Sequence, residues 1–257
     1  MSRLFTFGCS FTGWEWWTWA DIVAGTRNWY DSPDGNYDYW ENFAVPGAGN
    51  QLIFNKLIHA ITEHNICDTD TVMIMWTNVS REDRFINGNW KTEGNVFTNG
   101  FYDDEFIKKY VDIIGYYERD IPTMHAAQML LDHIGCKNKI MSMVDVVNYG
   151  QYDNFDYSDK IKHLTDKFSD SLQRILPSVH DVVFNYDYSS RPLPDIDRTA
   201  DIRSCHPTPA EHLEYVEKVL PEFEITRHVR QSVLTENERV LTGLRDAHII
   251  YGGTEHR

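Results

Sequence analysis

The sequence predicts an α/β protein: a three-layer α/β/α sandwich whose central parallel sheet has about five strands, followed by a C-terminal extension. Three observations carry the prediction. Short continuous apolar runs bounded by turn-formers recur along the chain, the form expected of strands buried on both faces. Segments with apolar residues at helical spacing separate them. The residues equipped for chemistry fall where strands end or helices begin, which in a parallel sheet is a single edge.

In chain order, residues 4–7 read as a short strand that stops at Gly8. Asn50 caps a helix that places Leu52, Ile53, Leu57, Ile58 and Ile61 on one face. Residues 71–76, TVMIMW, are a strand buried on both faces. Residues 80–104 are polar, carry Asn87-Gly88-Asn89 and Asn99-Gly100, and read as a long loop or hairpin insertion. Helices follow over 105–119 and 122–134, the second ending at Gly135. A strand is expected at 139–147, a helix at 158–176, a strand at 181–185 and a last amphipathic helix at 209–220. Residues 1–221 thus form one domain, and 222–257 a surface arm or partner-binding segment.

Composition narrows the function classes. Among 257 residues, 39 acidic against 24 basic give a net charge of −15 with no visible basic patch, which argues against nucleic acid or an anionic membrane as partner. No apolar run approaches the ~18 residues of a membrane span, and the first residues lead straight into a strand. A cytoplasmic or virion-associated protein without a signal peptide is the expectation. Cys9, Cys67, Cys136 and Cys205 stand singly, which argues for free thiols in a reducing compartment rather than a zinc ribbon. His59 and His64 lie five apart on a helix, the wrong spacing for shared metal ligation.

Four blocks could carry chemistry. Gly8-Cys9-Ser10-Phe11-Thr12 puts a hydroxyl in a tight turn after the first strand, as a nucleophile or as a helix-capping serine. Pro46-Gly47-Ala48-Gly49-Asn50 leaves backbone N–H groups open before a helix, but lacks the third glycine of a dinucleotide fingerprint. Trp76-Thr77-Asn78 ends the buried strand with an amide, either a donor to a developing oxyanion or a capping residue. His206-Pro207-Thr208-Pro209 holds a histidine at the start of the last helix, where it could act as a general base.

In this order, over about residues 4–220, the four blocks resemble the SGNH hydrolase superfamily (GDSL-type esterases), in wording closest to SGNH-like proteins of tailed bacteriophages. The resemblance implies a flavodoxin-like sheet and a serine esterase using neither metal nor organic cofactor. Ser10 is then the nucleophile, and the oxyanion donors are the Ser10 N–H, the Gly47 N–H and the Asn78 side chain. Gly47 is preferred to Gly49 because it lies five residues after Asn42. His206 is the base. The family's acid stands three residues before that histidine; here the position holds Arg203, so Asp201 is the tentative acid, and a Ser-His dyad the alternative. Trp14, Trp16, Trp17 and Trp19 crowd the segment after Ser10, and some are expected to line a sugar-stacking mouth. Trp14, Trp16 and Arg81 are the substrate-binding candidates, with Arg81 suited to a carboxylate. The expected substrate is a small ester or acylated glycan; the rival expectation is a weakly active or inactive virion component that binds through its cleft or its arm, 222–257.

Overall fold

The computed structural model describes residues 2–27, 35–97, 102–147, 158–185 and 206–251. Its centre is a parallel sheet of four strands: β1 (Arg3–Phe7), β2 (Tyr39–Asn42), β3 (Thr71–Trp76) and β6 (Lys137–Ser142), in the order β2-β1-β3-β6. The register runs Leu4 opposite Thr71 and Phe7 opposite Ile74 between β1 and β3, then Ile74 opposite Ile140 and Trp76 opposite Ser142 between β3 and β6. Val72 to Trp76 and Leu4 to Phe7 are wholly shielded from solvent, as unbroken apolar strands between two helical layers should be.

The fold is of the expected α/β class, with β6 ending at Ser142 where the strand was expected to run to 147, and with two further corrections to the strand list. The expected strand at 181–185 is instead a short helix, α7 (Val179–Val183). Ser178 and Asp181 form a reciprocal capping box that satisfies the first turn's N–H groups, and this local chemistry overrides the β-branched composition. In the other direction, β2 was not anticipated: its YWEN sequence is short, half-polar and lies at the sheet edge. The sheet therefore has four strands rather than about five among the described residues.

The helices divide into two packed groups. In one, α2 (Asn50–His64) and α5 (Ser158–Lys167) pack against α4 (Ile113–Ile134). In the other, α8 (Pro209–Val219) packs against α1 (Trp19–Ala24), α7 and α9 (Arg227–Tyr251). The two helices expected over 105–119 and 122–134 are partitioned differently. Val111 leaves helical geometry after α3 (Asp104–Tyr110), and α4 then runs through Pro122 to the left-handed Gly135. The helix expected over 158–176 likewise breaks at Phe168 into α5 and α6 (Ser169–Leu172).

The insertion contains an antiparallel hairpin, β4 (Arg81–Ile86) and β5 (Asn89–Asn95), turned through Asn87 and Gly88, both at positive φ. The segment after residue 222 contains α9. Its Val229 and Val233 join the main core, while Val240 and Leu244 pack around Trp16. No helix among the described residues is long and apolar enough to cross a membrane.

Candidate active site

The strand order places a crevice at one edge. From β1 the chain goes to β2 on one side and then crosses back to β3 on the other, so the connections diverge beyond the carboxyl ends of β1 and β3. Ser10 follows β1 and Asn78 follows β3.

The Ser10 turn is set by small-residue packing and by a set of fixed carbonyls. A side chain at Gly8 would meet Thr12 Oγ1 at 2.0 Å, so only glycine permits the turn. Cys9 O accepts from Thr12 N at 2.9 Å and Gly13 N at 3.1 Å. Thr12 O in turn accepts from Asn42 Nδ2 and Thr18 Oγ1, both at 2.8 Å. Ser10 is nearly buried, and its Oγ lies 2.8 Å from His206 Nε2 across 196 residues of sequence.

His206 sits one turn ahead of α8. Thr208 caps that helix with a reciprocal Thr208–Glu211 box, and Pro209 occupies its first turn. The His206 loop is also held from outside: Pro207 O accepts from Trp16 Nε1 at 2.8 Å, and Ala210 N donates to Asn237 Oδ1 of α9 at 3.2 Å. Around the ring lie Phe11 at 5.5 Å and Trp14, face to face at 3.9 Å with planes 8° apart. Asp201 and Arg203, on which the identity of the acid turns, lie outside the described residues, as does Cys205.

Asn78 is nearly buried, and its Oδ1 accepts from Ser80 N at 2.8 Å and Ser80 Oγ at 2.7 Å. Those donors fix which end of the amide accepts, so that the NH₂ is its donating end. The strand end bearing Asn78 is clamped by a residue with a larger part than the sequence conveys. Asn50, expected as a cap, is the first residue of α2 after Gly49 at the cap; its Oδ1 accepts from Thr77 N at 2.9 Å, and its Nδ2 reaches Thr77 O at 3.1 Å and Asp120 Oδ2 at 2.8 Å. Burial raises the Asp120 carboxyl, an effect opposed by its bonds to Arg119. Arg119 also donates to Val79 O and Arg81 O, tying the segment after Asn78 to α4.

The glycine block is organised by the hairpin. Asp83 of β4 accepts from Gly49 N at 2.8 Å and Leu52 N at 2.9 Å, capping α2 from another element. Gly49 N–H is therefore occupied. Gly47, at φ +83, has its carbonyl held by Thr92 Oγ1 at 2.7 Å, and among the described residues its N–H has no acceptor.

The substrate-binding candidates separate. Trp16 is buried, with its N–H on Pro207 O and its ring packed with Val240 and Leu244, so it forms no part of an open mouth. Trp19 is buried as well. Trp14 lines a cleft with Glu15, Asp21 and Arg27, although one indole face is covered by His206. Burial pushes Asp21 up to about 6. Arg81 spans from Ala48 O at 3.1 Å to Met143 Sδ at 3.7 Å and so buttresses the glycine block. Two buried histidines flank the site: burial drives His180 down to about 4 and His212 to about 3, so both are neutral near pH 7.

No family model matches the sequence, and no curated protein does. Solved structures do match. The chain is similar to an acetylxylan esterase, Axe2, from Geobacillus stearothermophilus, at TM-score 0.51 and 14% identity over 88% of this chain and 96% of that one. Lower similarity links it to the psychrotrophic esterase EstA of Pseudoalteromonas sp., at TM-score 0.46 and 11% identity over 86% and 97% of the two chains. A member of the lipolytic G-D-S-L family from Veillonella parvula matches at TM-score 0.44 and 14% identity, over 87% and 98%. At 14% identity the likeness to Axe2 establishes the fold alone.

Proposed function

We propose that this protein is a serine esterase working by acyl transfer through Ser10. The observation that carries the reading is the 2.8 Å approach of His206 Nε2 to Ser10 Oγ at the diverging edge of the sheet, beside the glycine and asparagine blocks. Neutral His206 takes the Ser10 proton as Oγ attacks the ester carbonyl carbon. The charge that develops on the carbonyl oxygen is met by the N–H groups of Ser10 and Gly47 and the Asn78 amide. The imidazolium returns the proton to the departing alkoxide, which leaves as the alcohol while the acyl group stays on Ser10 Oγ. Water, deprotonated by the same ring, cleaves that ester to the free acid and restores Ser10.

We assign the alcohol to a carbohydrate, with an acetyl or other small acyl group as the leaving acid's source. The cleft beside Trp14 offers an indole together with Glu15, Asp21 and Arg27, a mixture of ring and hydrogen-bonding groups that suits a sugar. In this reading residues 1–221 are the hydrolytic unit and Asp201 orients His206. The phage-related wording of the blocks points to a host glycan as target.

A fluorophosphonate probe tests the reading. The folded protein should be labelled covalently, and Ser10→Ala should abolish the label. A folded wild-type protein that takes no label overturns it and favours a virion component that binds without chemistry.

A further inference from the structure

His206 is stacked on an aromatic partner, Trp14, whose side chain no hydrogen bond holds. The Trp14 and His206 rings are parallel within 8° and 3.9 Å apart, while Trp16 meets Trp14 edge-on at 5.9 Å. The Trp14 indole N–H is buried with no acceptor, so no hydrogen bond orients the ring. An orphaned buried donor is a cost that the stacking contact must offset. The backbone, by contrast, is tightly held: Arg27 donates to the carbonyls of Trp14 and Glu15, and Glu236 of α9 binds both Arg27 and Trp17 N.

We infer that Trp14 is a positioning residue for His206: its indole face fixes the plane of the imidazole and favours the imidazolium formed as Ser10 attacks. An aromatic face attracts a cation through its quadrupole, most strongly where water is excluded, and His206 is buried. The contact thus adds, through a ring face, to the orientation and charge stabilisation that a carboxylate gives a catalytic imidazole. Trp14 then has two roles, with one face on the base and the rest of the ring lining the cleft. The inference rests on the esterase reading for its chemical meaning, but the ring pair itself can be tested separately.

The charged and titratable groups near this pair are few among the described residues. From α8 come His212 and Glu211, the latter tied to Thr208 N; from α7 comes His180. From the segments packed on Trp14 come Glu15, Asp21, Arg27 and Glu236. Asp21 titrates near His206's ordinary range, so its contribution must be separated.

The experiment compares fluorophosphonate labelling rates of wild type, Trp14→Phe and Trp14→Leu from pH 5 to 9. If Trp14 favours the imidazolium, removing it raises the barrier only where the resting histidine is neutral. The plateau rate of Trp14→Leu should fall about tenfold, while the rates converge at the acid end because both resting and reacting rings are then charged. The midpoint should move down by roughly one pH unit, and Trp14→Phe, which keeps a smaller face, should fall between. A merely structural loss lowers the rate at every pH and leaves the midpoint alone, which would overturn the inference. A second measurement needs no chemistry. Imidazolium quenches a stacked indole, so wild-type fluorescence should rise with pH in a step that both His206→Asn and Trp14→Phe abolish. Absence of that step overturns the pairing, whereas failure of wild type to label, with the step present, overturns the esterase reading instead.

Discussion

Replacing Asn50 with alanine removes three buried hydrogen bonds at once and loosens the strand end that carries Asn78. Thr77 is 1% exposed, so its N–H and carbonyl, both now held by the Asn50 amide, would have no water to turn to. Asp120 loses one of its donors in a fully buried setting. A stranded buried donor or acceptor costs about 1–3 kcal/mol, and loss of a bond to a charged group sits at the upper end. The three together give about 4 kcal/mol, discounted because they share one network. With a urea m-value of about 3 kcal/mol/M, the upper end of the usual range and suited to a chain this long, the midpoint of unfolding should drop by rather more than 1 M. Gln51→Ala is the neighbouring comparison, since its amide donates to the half-buried Thr123 hydroxyl at 2.9 Å, bears on Asp120 less than Asn50 does, and leaves the Thr77 clamp in place. If Asn50→Ala costs no more than Gln51→Ala, the clamp reasoning is wrong. Labelling of Ser10 in the folded fraction should fall as well, because Asn78 no longer has a fixed address.

Further outcomes follow from the charges and caps. The buried His212, with its folded pKa near 3, binds no proton between about pH 3 and 6.5 while the unfolded chain does. Its stabilising contribution is complete above pH 6.5 and is lost as pH falls; Asp21, raised to about 6, gives the opposite slope between about 3.8 and 6. His212→Phe should therefore flatten the acid-side loss of stability by roughly 1.4 kcal/mol per pH unit, read from urea midpoints between pH 4 and 6, and an unchanged slope would show that the ring already titrates in the fold. Asp83→Ala should destabilise by about 1 kcal/mol through loss of the α2 cap and speed amide exchange at Gly49 and Leu52. Unaltered exchange at those two amides would mean that the hairpin does not hold the glycine block.

The sequence made the buried centre of the fold plain and its edges obscure. Residues 71–76 are apolar without interruption because both faces are covered, and such a run has few other readings. The edge strand β2 alternates Tyr, Trp, Glu and Asn over four residues, too short for a period to declare itself. At 179–183 the composition favours a strand, but the Ser178–Asp181 box decides for a helix, and such a box is visible only when caps are weighed before propensity. The helix α9 went unread because its apolar stripe is thin among charges, and its purpose, covering Trp16 and bonding Ala210, belongs to the tertiary fold. The candidate site shows the same division. Ser10, Gly47, Asn78 and His206 were legible as blocks at element ends, whereas which ring lies on which is a matter of packing. The sequence placed some of the tryptophans at a mouth; the fold lays one face of Trp14 on His206 while Trp14 still lines a cleft, and it buries Trp16.

The sequence separation of 196 between Ser10 and His206 also governs when the two can meet. A ribosome adding roughly 5–20 residues per second needs about 10–40 s to cover that span. By the time β6 ends at Ser142, all four strands of the sheet have been made, so the turn bearing Ser10 can take shape early. His206 arrives only with the segment leading into α8, and α9, made later still, fastens that segment through Asn237 and Trp16. On the proposed function, hydrolytic competence thus waits for the segment carrying His206, and a product of translation interrupted before it carries a Ser10 turn with nothing to take its proton.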